Sequence, residues 1–230
     1  MPVANEEATM ADVINEILNL NYDNLYLYAI TDNYSKDRTE DIICEFAEKT
    51  DKVKCIHFNE STGLISCYLE GFRIALADGG EQIIEMDGGG SHKPCEIPLF
   101  IEKLEQGYDC VFGSRFVEGG SLENQPLYRL MLSKGGTLLA NRVLGTNYKD
   151  MTSGFEAFNK EILQKMHFNC FLSTGHMYQT EMRYYCRNFN IIEVPINYEA
   201  SESSLKFKSV LEAILILFKL RKNEKEIFVK

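Results

Sequence analysis

Two spacings of apolar residues alternate along the chain, one typical of helices and one typical of buried strands. Residues 9–20 place Met10, Val13 and Ile17 on one side of a helix, because apolar residues recur there every three to four positions. Residues 25–30 form a short, continuous run of aromatic and aliphatic side chains, which is typical of a strand. The same alternation continues toward the C-terminus.

Most of the remaining chain can be assigned in the same way. Further helices are predicted after Gly63 up to about Gly79 and at 40–49, 98–105, 127–144 and 210–220, and further strands at 53–58, 82–86, 110–113, 154–158 and 191–198. Strands that alternate with helices of this length predict an α/β domain with a mainly parallel sheet. Ligands bind beyond the carboxyl ends of the strands in such sheets, and here those ends carry Asp32, Asn33, Asp87 and Arg115.

Length and composition restrict the class of protein. The chain has 230 residues, of which 45% are hydrophobic, and this suffices for one domain with a full core. Its seven cysteines form no Cys-x-x-Cys pair, so we expect reduced thiols in the cytoplasm and no structural zinc site. The first ten residues lack the basic start and apolar stretch of a secretory signal. With 34 acidic and 24 basic residues, the net charge of −10 disfavours nucleic-acid binding.

The C-terminal end differs in charge from the rest of the chain. Residues 206–230 contain seven basic and three acidic residues, and the apolar run at 210–220 is too short to span a membrane. This run is compatible with a core helix and with an interfacial helix whose basic end meets anionic headgroups. We therefore predict a domain at 1–208, whose first strand is short or truncated, and an amphipathic helix with a basic tail at 209–230.

An acidic residue followed by three glycines is the strongest local signal for a binding site. Asp87 follows the strand predicted at 82–86 and precedes three glycines at 88–90. Such a loop lets the backbone approach a bulky anion while the carboxylate holds a divalent cation, as a nucleoside diphosphate with Mg²⁺ or Mn²⁺ requires. The alternative is an ordinary glycine-rich turn capped by Asp87. Asp32 likewise suits a contact with a nucleoside or a local turn bond.

Six segments occur in the order and spacing of one known family. They are residues 2–7, 31–39, 59–63, 85–92, 113–120 and 150–155. On these segments the chain resembles family 2 inverting glycosyltransferases, and among them the polyprenol-phosphate (dolichol-phosphate) mannosyltransferase-like proteins. The resemblance extends from residue 2 to about residue 208. It implies a GT-A fold, which is a Rossmann-like domain of nucleotide-diphospho-sugar transferases. It also implies a nucleotide-sugar donor, Mg²⁺ or Mn²⁺, and a lipid-phosphate acceptor at the cytosolic membrane face.

The resemblance also implies roles for individual residues on the donor side. Those expected to contact the nucleotide or the donor are Pro2, Ala4, Glu6, Asp32, Asn33, Gly63, Gly88 and Gly89. Asp87 matches the first acid of the family's metal motif, and Ser91 and His92 are further candidate ligands. Gly89 stands where the family has the second acid. This departure predicts a cation site that is weaker or built differently.

Basic residues are expected to meet the phosphates. Arg115, Arg129, Lys134 and Lys206 match the family's cations for the donor sugar and for the phosphates of donor and acceptor. Arginine binds phosphate as a fork, and cations help a diphosphate to leave an anomeric carbon. The resemblance therefore implies that Asp87, Arg115 and Lys206 are catalytic. The arginine that the mannosyltransferases often carry a few residues before Lys206 is absent.

The acceptor class decides whether the reaction needs a general base. A polyprenyl phosphate is already ionised at pH 7, whereas a hydroxyl acceptor needs a carboxylate to take its proton. Glu181 matches an acceptor-side segment and is the obvious candidate base, although a glutamate on a helix surface explains it equally well.

The sequence therefore predicts an inverting transferase that moves a hexose, most simply mannose from GDP-mannose, to a polyprenyl phosphate. We expect a cytoplasmic protein with peripheral membrane contact. One alternative is a family 2 transferase that uses a UDP-sugar and a saccharide hydroxyl. The other is a nucleotide-sugar-binding relative with little turnover.

Overall fold

The computed structural model describes residues 1–123, 127–173, 175, 177–199 and 207–222, with the backbone alone for 207–212. The helices are α1 (Met10–Leu18), α2 (Thr39–Ala47), α3 (Leu64–Ala77), α4 (Ile97–Glu105), α5 (Leu127–Leu144), α6 (Lys160–Lys165), α7 (Tyr178–Cys186) and α8 (Phe207–Lys222). The strands are β1 (Leu27–Thr31), β2 (Val53–His57), β3 (Gln82–Glu85), β4 (Cys110–Ser114), β5 (Ser121–Glu123), β6 (Glu156–Asn159), β7 (Ile191–Pro195) and β8 (Asn197–Glu199). The predicted α/β architecture is confirmed.

The central sheet consists of separate groups of strands. β1 pairs with β2 in parallel, and a second group has the order β3-β6-β4-β7. β6 is antiparallel to β3 and β4, so the sheet is mixed at this point. β7 is parallel to β4, and the chain then continues into β8, which pairs with β5. The strand predicted at 191–198 is thus two strands with different partners.

A gap separates β1 from β3. It holds a cavity of about 870 Å³, lined by Tyr26 and Tyr28 on one side and by Ile83 and Ile84 on the other. The first residues of the chain border this gap, where Pro2 forms a single parallel bridge with Ile30. This one bridge stands where we expected a first strand that is short or truncated.

Helices cover both faces of the sheet. One face buries Ile14 of α1, Ile43 of α2 and Phe100 of α4. The other face buries Phe72 of α3 and Met182 of α7. Each such side chain contributes about 1.5–3 kcal/mol of transfer free energy when fully buried. The two layers hold the sheet rigidly, so that the loops after the strand ends have a fixed base.

The C-terminal helix belongs to this core. α8 packs against α5, and its residues Ile216, Leu217 and Leu220 are buried in the same cluster as α3 and α7. The helix begins at Phe207, so it crosses the boundary predicted at 208. Among the described helices, none combines the length and the apolar character needed to cross a membrane.

The prediction of reduced thiols is wrong for one pair. Cys44 of α2 and Cys55 of β2 form a disulfide, with their Cα atoms 5.2 Å apart. α2 lies directly against β2, so two cysteines eleven residues apart become neighbours, which spacing alone did not indicate. The free cysteines are Cys67, Cys95, Cys110, Cys170 and Cys186.

Candidate active site

Three of the segments expected to bind the donor lie against one another. The loop after β3 packs its backbone onto the start of the chain, because a Cβ atom at Gly88 would lie 2.9 Å from Cβ of Val3. The backbone N–H of Glu6 donates to Oγ1 of Thr39, at 2.7 Å, where the loop after β1 meets α2. The segments 2–7, 31–39 and 85–92 therefore meet at the carboxyl ends of β1 and β3, as the sequence predicts.

Asn5 fixes the path of the first segment. This residue has a left-handed φ of 59°, and its side chain donates to the carbonyl of Tyr34 and accepts from the N–H of Lys36. Pro2, buried, and Ala4, half-buried, lie in the same segment. The two hydrogen bonds of Asn5 thus tie the segment 2–7 to the loop after β1.

The loop after β1 uses Asp32 for its own structure. Asp32 is buried, and its carboxylate accepts from Oγ of Ser61 at 2.6 Å and from the N–H of Tyr34 at 3.0 Å. The local turn bond considered for Asp32 is therefore present. Asn33 is exposed, 3.4 Å from Nε2 of His57, and Gly63, with φ of 125°, precedes α3. Asn33 and Gly63 therefore lie at the edge of the site formed by segments 2–7, 31–39 and 85–92.

Asp87 is half-exposed at the end of β3. Its Oδ1 accepts a hydrogen bond from the hydroxyl of Tyr68 at 2.8 Å, and its backbone N–H donates to Nδ1 of His92 at 3.0 Å. Burial lowers the pKa of His92, so the imidazole is neutral and Nδ1 is an acceptor. The 3.8 Å separation between this Nδ1 and Oδ2 of Asp87 is therefore no ion pair. His92 supports the loop, and its Nδ1 is not available to a metal.

The residues present suit a cation that is shared with a diphosphate. The described residues contain no group of three His, Cys, Asp or Glu side chains able to hold a metal by themselves. Ser91 is buried, so its hydroxyl is less accessible than the carboxylate of Asp87. Asp87 supplies an accessible carboxylate, and Mg²⁺ is often bound through one or two carboxylates plus substrate phosphates. Such a site fits at Asp87, without a ligand from Nδ1 of His92.

Glu6 lies in the same acidic region. Burial raises the pKa of its carboxyl group, and the charges of Asp37 and Asp87 raise it further, whereas a hydrogen bond from Thr9 opposes the shift. The described residues place no Lys, Arg or His nitrogen within 4 Å of this carboxylate. The region thus concentrates negative charge where a cation would relieve it.

Arg115 does not have the free guanidinium that the resemblance implied. Its Nε and Nη2 donate to the two carboxylate oxygens of Asp150, at 2.7 and 2.8 Å, and Nη2 also contacts Oγ1 of Thr152. Burial by itself would raise the pKa of Asp150, but the hydrogen bonds and charge of Arg115, aided by Arg183, hold it at about 2. Arg115 thus belongs to a buried ion pair, and its Nε and Nη2 already donate to a carboxylate.

A second buried network lies beneath Asp87. Glu85 and Glu156 face each other across β3 and β6, and Arg183 donates to Oε1 of Glu156 at 2.8 Å. Burial raises the pKa of Glu85 well above its usual value, and the charge of Glu156 raises it further. Oε1 of Glu85 and Oε2 of Glu156 have no hydrogen-bond partner. Burial also raises the pKa of Glu156, to about 7, although the charge and hydrogen bond of Arg183 oppose the shift, so this buried pair of carboxyl groups favours holding a proton.

The predicted phosphate-binding cations fall into two groups. Arg129 and Lys134 lie on the first half of α5, and the charge of Arg129 acts on Tyr198, which packs against His92. Lys134 is exposed, with Nζ 5.3 Å from the centre of the Phe116 ring. Arg129 therefore lies near the loop after β3, and Lys134 lies near the segment after β4. Lys206, the fourth predicted cation, lies outside the described residues.

The expectation that Glu181 faces a substrate is wrong. Its side chain is fully buried, and its carboxylate accepts hydrogen bonds from the backbone N–H groups of Leu172 and Ser173, from the hydroxyl of Ser173 and from that of Tyr185. Four donors from the protein itself leave no room for an acceptor hydroxyl. Glu181 anchors the segment before α7.

The sequence analysis did not identify the residues that support the site through hydrogen bonds. Asp150 and Thr152 belong to a matched segment, 150–155, but were not singled out, although an acid in a matched segment is a usable signal. Tyr68 gave no signal, because a tyrosine within an apolar helix predicts core packing. Arg183 also gave none, since an arginine in a polar helix normally indicates a solvated surface.

Comparison with known proteins agrees with this arrangement. Residues 1–166 match glycosyl transferase family 2. A polyprenol monophosphomannose synthase of Mycolicibacterium smegmatis is 32% identical over 191 residues, which are 80% of this chain and 72% of that protein. An undecaprenyl-phosphate mannosyltransferase of Micrococcus luteus is 33% identical, over 81% of this chain and 78% of that protein. A dolichol-phosphate mannosyltransferase of Pyrococcus furiosus is 32% identical over 99% of this chain, which spans 64% of its length.

Solved structures show the same fold. A glucosyl-3-phosphoglycerate synthase of Mycobacterium tuberculosis in complex with UDP has a TM-score of 0.68 at 17% identity, over 96% of this chain and 78% of that one. The same enzyme in complex with Mn²⁺, UDP and phosphoglyceric acid has a TM-score of 0.65, over 100% of this chain and 78% of that one. The fold is GT-A, and the chain is a glycosyltransferase that belongs to family 2.

Proposed function

We propose that this chain transfers a hexose, most simply mannose from GDP-mannose, to a polyprenyl phosphate with inversion at the anomeric carbon. The three relatives named above, at 32–33% identity, carry names of polyprenyl-phosphate or dolichol-phosphate mannosyltransferases. This supports both the donor class and the acceptor class.

The state of Glu181 is the observation that carries the choice of acceptor. A hydroxyl acceptor needs a general base, and the one candidate that the sequence offered is buried under four hydrogen bonds. A phosphate acceptor brings its own ionised oxygen. Because Glu181 is occupied by hydrogen bonds within the protein, a lipid phosphate is favoured over a saccharide hydroxyl as the acceptor.

On the donor side, the residues of this chain bind and orient. We place the nucleoside beside Asp32 and Asn33 and the diphosphate beside Asp87, with Arg129 and Lys134 of α5 as the nearby cations. When bound at Asp87, Mg²⁺ or Mn²⁺ would neutralise charge on the departing diphosphate. Fixed cations lower the barrier further, because they need no reorganisation as the charge develops.

Exposed apolar side chains on α5 and α8 support a lipid acceptor. The exposed large apolar residues on these two helices are Leu127, Tyr128, Met131, Leu132, Leu138, Leu139, Leu215 and Phe218. Leu127, Met131 and Leu138 recur at helical spacing, so they form one stripe along α5. Lys219, Arg221 and Lys222 close the exposed end of α8. Such an arrangement suits reversible contact with an anionic membrane surface.

A transfer assay with a panel of substrates tests the proposal. The protein is incubated with GDP- and UDP-sugars, with and without polyprenyl phosphate, and with and without Mn²⁺. We expect a lipid-linked sugar from one GDP-sugar only when polyprenyl phosphate and metal are both present. Transfer to a saccharide hydroxyl would favour the first alternative. Nucleotide-sugar binding without any transfer would favour a binding protein.

A further inference from the structure

Gly89 stands where the family carries its second metal-binding acid, and the space beside it is filled by another carboxylate. A Cβ atom at position 89 would lie 2.7 Å from Oε1, 3.1 Å from Cδ and 3.3 Å from Oε2 of Glu6. Both oxygens of Glu6 therefore lie within the reach of an aspartate side chain built at position 89. The glycine makes room for a carboxylate that arrives from a different segment.

The backbone of Glu6 is held at both of its polar groups. Its N–H donates to Oγ1 of Thr39 at 2.7 Å, and its carbonyl accepts from the N–H groups of Thr9 and Met10 at 3.1 and 2.9 Å. Glu6 thus connects the start of α2 to the start of α1. These bonds fix its backbone, and its side chain lies beside Gly89.

The carboxylate of Glu6 has little use within the protein itself. Among the described residues, it accepts one hydrogen bond, a long contact of 3.4 Å from the hydroxyl of Thr9. The described residues provide no cationic partner within 4 Å, as noted above. Asp87, like Glu6, has a carboxylate that the protein uses only in part. Tyr68 donates to its Oδ1, and its Oδ2 accepts no hydrogen bond from the described residues.

We infer that Glu6 supplies the second carboxylate of the divalent-cation site, in place of an acid at position 89. The inference rests on the proposed function, since the cation is the one that would accompany the donor diphosphate. Two carboxylates plus diphosphate oxygens form the hard oxygen set that Mg²⁺ and Mn²⁺ prefer. The metal motif of this chain is then divided between the loop after β3 and the segment before α1.

Direct measurement of Mn²⁺ binding tests this assignment without relying on activity. Free Mn²⁺ is quantified by electron paramagnetic resonance during titration of the protein in the presence of GDP. The variants are Glu6→Gln, Gly89→Asp and the double variant Glu6→Ala/Gly89→Asp, in which alanine vacates the space beside position 89. Glu16→Gln is the matched control, because it removes one exposed acid from α1. Circular dichroism confirms that each variant is folded.

We expect Glu6→Gln to weaken Mn²⁺ binding by about 10- to 100-fold, the range found for substitutions around metal sites. The double variant Glu6→Ala/Gly89→Asp should recover most of this loss, since it returns an acid to the space that the Glu6 side chain has left, and Gly89 does not have a left-handed φ that would exclude aspartate. Glu16→Gln should bind as the wild type does. Unchanged Mn²⁺ affinity in Glu6→Gln would overturn the inference, as would a double variant no tighter than Glu6→Gln.

The outcomes for the inference and for the proposed function are separable. A wild type that makes the lipid-linked sugar while Glu6→Gln keeps full Mn²⁺ affinity refutes only the role of Glu6. A wild type that binds neither nucleotide nor Mn²⁺ in the presence of GDP or UDP refutes the donor site as a whole.

Discussion

Substitution of Arg115 separates a buried structural ion pair from an exposed phosphate ligand. Arg115→Ala leaves Asp150 fully buried without the two hydrogen bonds that it accepts from the guanidinium. The pKa of Asp150 lies at about 2 instead of 3.8, so its partners stabilise the charged form by more than burial destabilises it. Breaking a buried pair from one side costs about 3–5 kcal/mol. For a chain of this size, the melting temperature should fall by roughly 6–20 °C.

Urea unfolding at pH 7 measures this loss, and two further variants make it specific. Lys134→Ala removes an exposed cation from α5 and should change stability by no more than about 0.5 kcal/mol. The double variant Arg115→Ala/Asp150→Ala should be less destabilised than the sum of the two single variants, because the second change removes the unpaired charge. If Arg115→Ala stays within about 1 kcal/mol of wild type and loses nucleotide affinity, Arg115 binds phosphate and our reasoning is refuted.

Three further predictions concern the buried acids, the membrane face and the metal. Because burial raises the pKa of Glu85 above 4.5, its contribution to stability is complete below about pH 4.5 and is lost as the pH rises toward the raised value. Glu85→Gln should therefore lessen the fall in unfolding free energy as the pH rises above about 4.5; an unchanged slope contradicts the protonated state. Leu138→Ser/Phe218→Ser should reduce sedimentation with anionic vesicles at low salt at least about tenfold while the melting temperature is unchanged; equal sedimentation removes the membrane role. Asp87→Ala should weaken GDP binding only when Mn²⁺ is present, as measured by calorimetry, and equal affinity in saturating Mn²⁺ counts against a metal ligand at this position.

The fold could be predicted largely from local patterns, because the apolar spacing reflects burial on one face of each element. The helix at 127–144 has the predicted bounds, and most other ends differ by one or two residues. The division of 191–198 into β7 and β8 could not be predicted. It depends on Ile196, which lies between a pairing with β4 and a pairing with β5, and that change of partner is a property of the whole sheet.

Site residues could be predicted where their place in the fold follows from their position along the chain. They were missed where their place follows from contacts with residues distant in sequence. Asp87 and the glycines after it follow a strand, so their place at a strand end could be read locally. Arg115 and Asp150 are separated by 35 residues, and no pattern shows that they pair. Glu181 was predicted to be a base on the acceptor side or a glutamate on a helix surface, and only the structure brings four donors to it.

The most direct test of the account is the fate of the sugar from radiolabelled GDP-mannose. The protein is incubated with the donor, Mn²⁺ and a polyprenyl phosphate, and the label is followed between the aqueous and organic phases. We predict label in the organic phase as a sugar linked to the lipid phosphate through an inverted anomeric bond, with none formed by Asp87→Ala. Label that stays on the nucleotide with every donor sugar tested, or that moves to a saccharide hydroxyl instead of the lipid, would contradict the account.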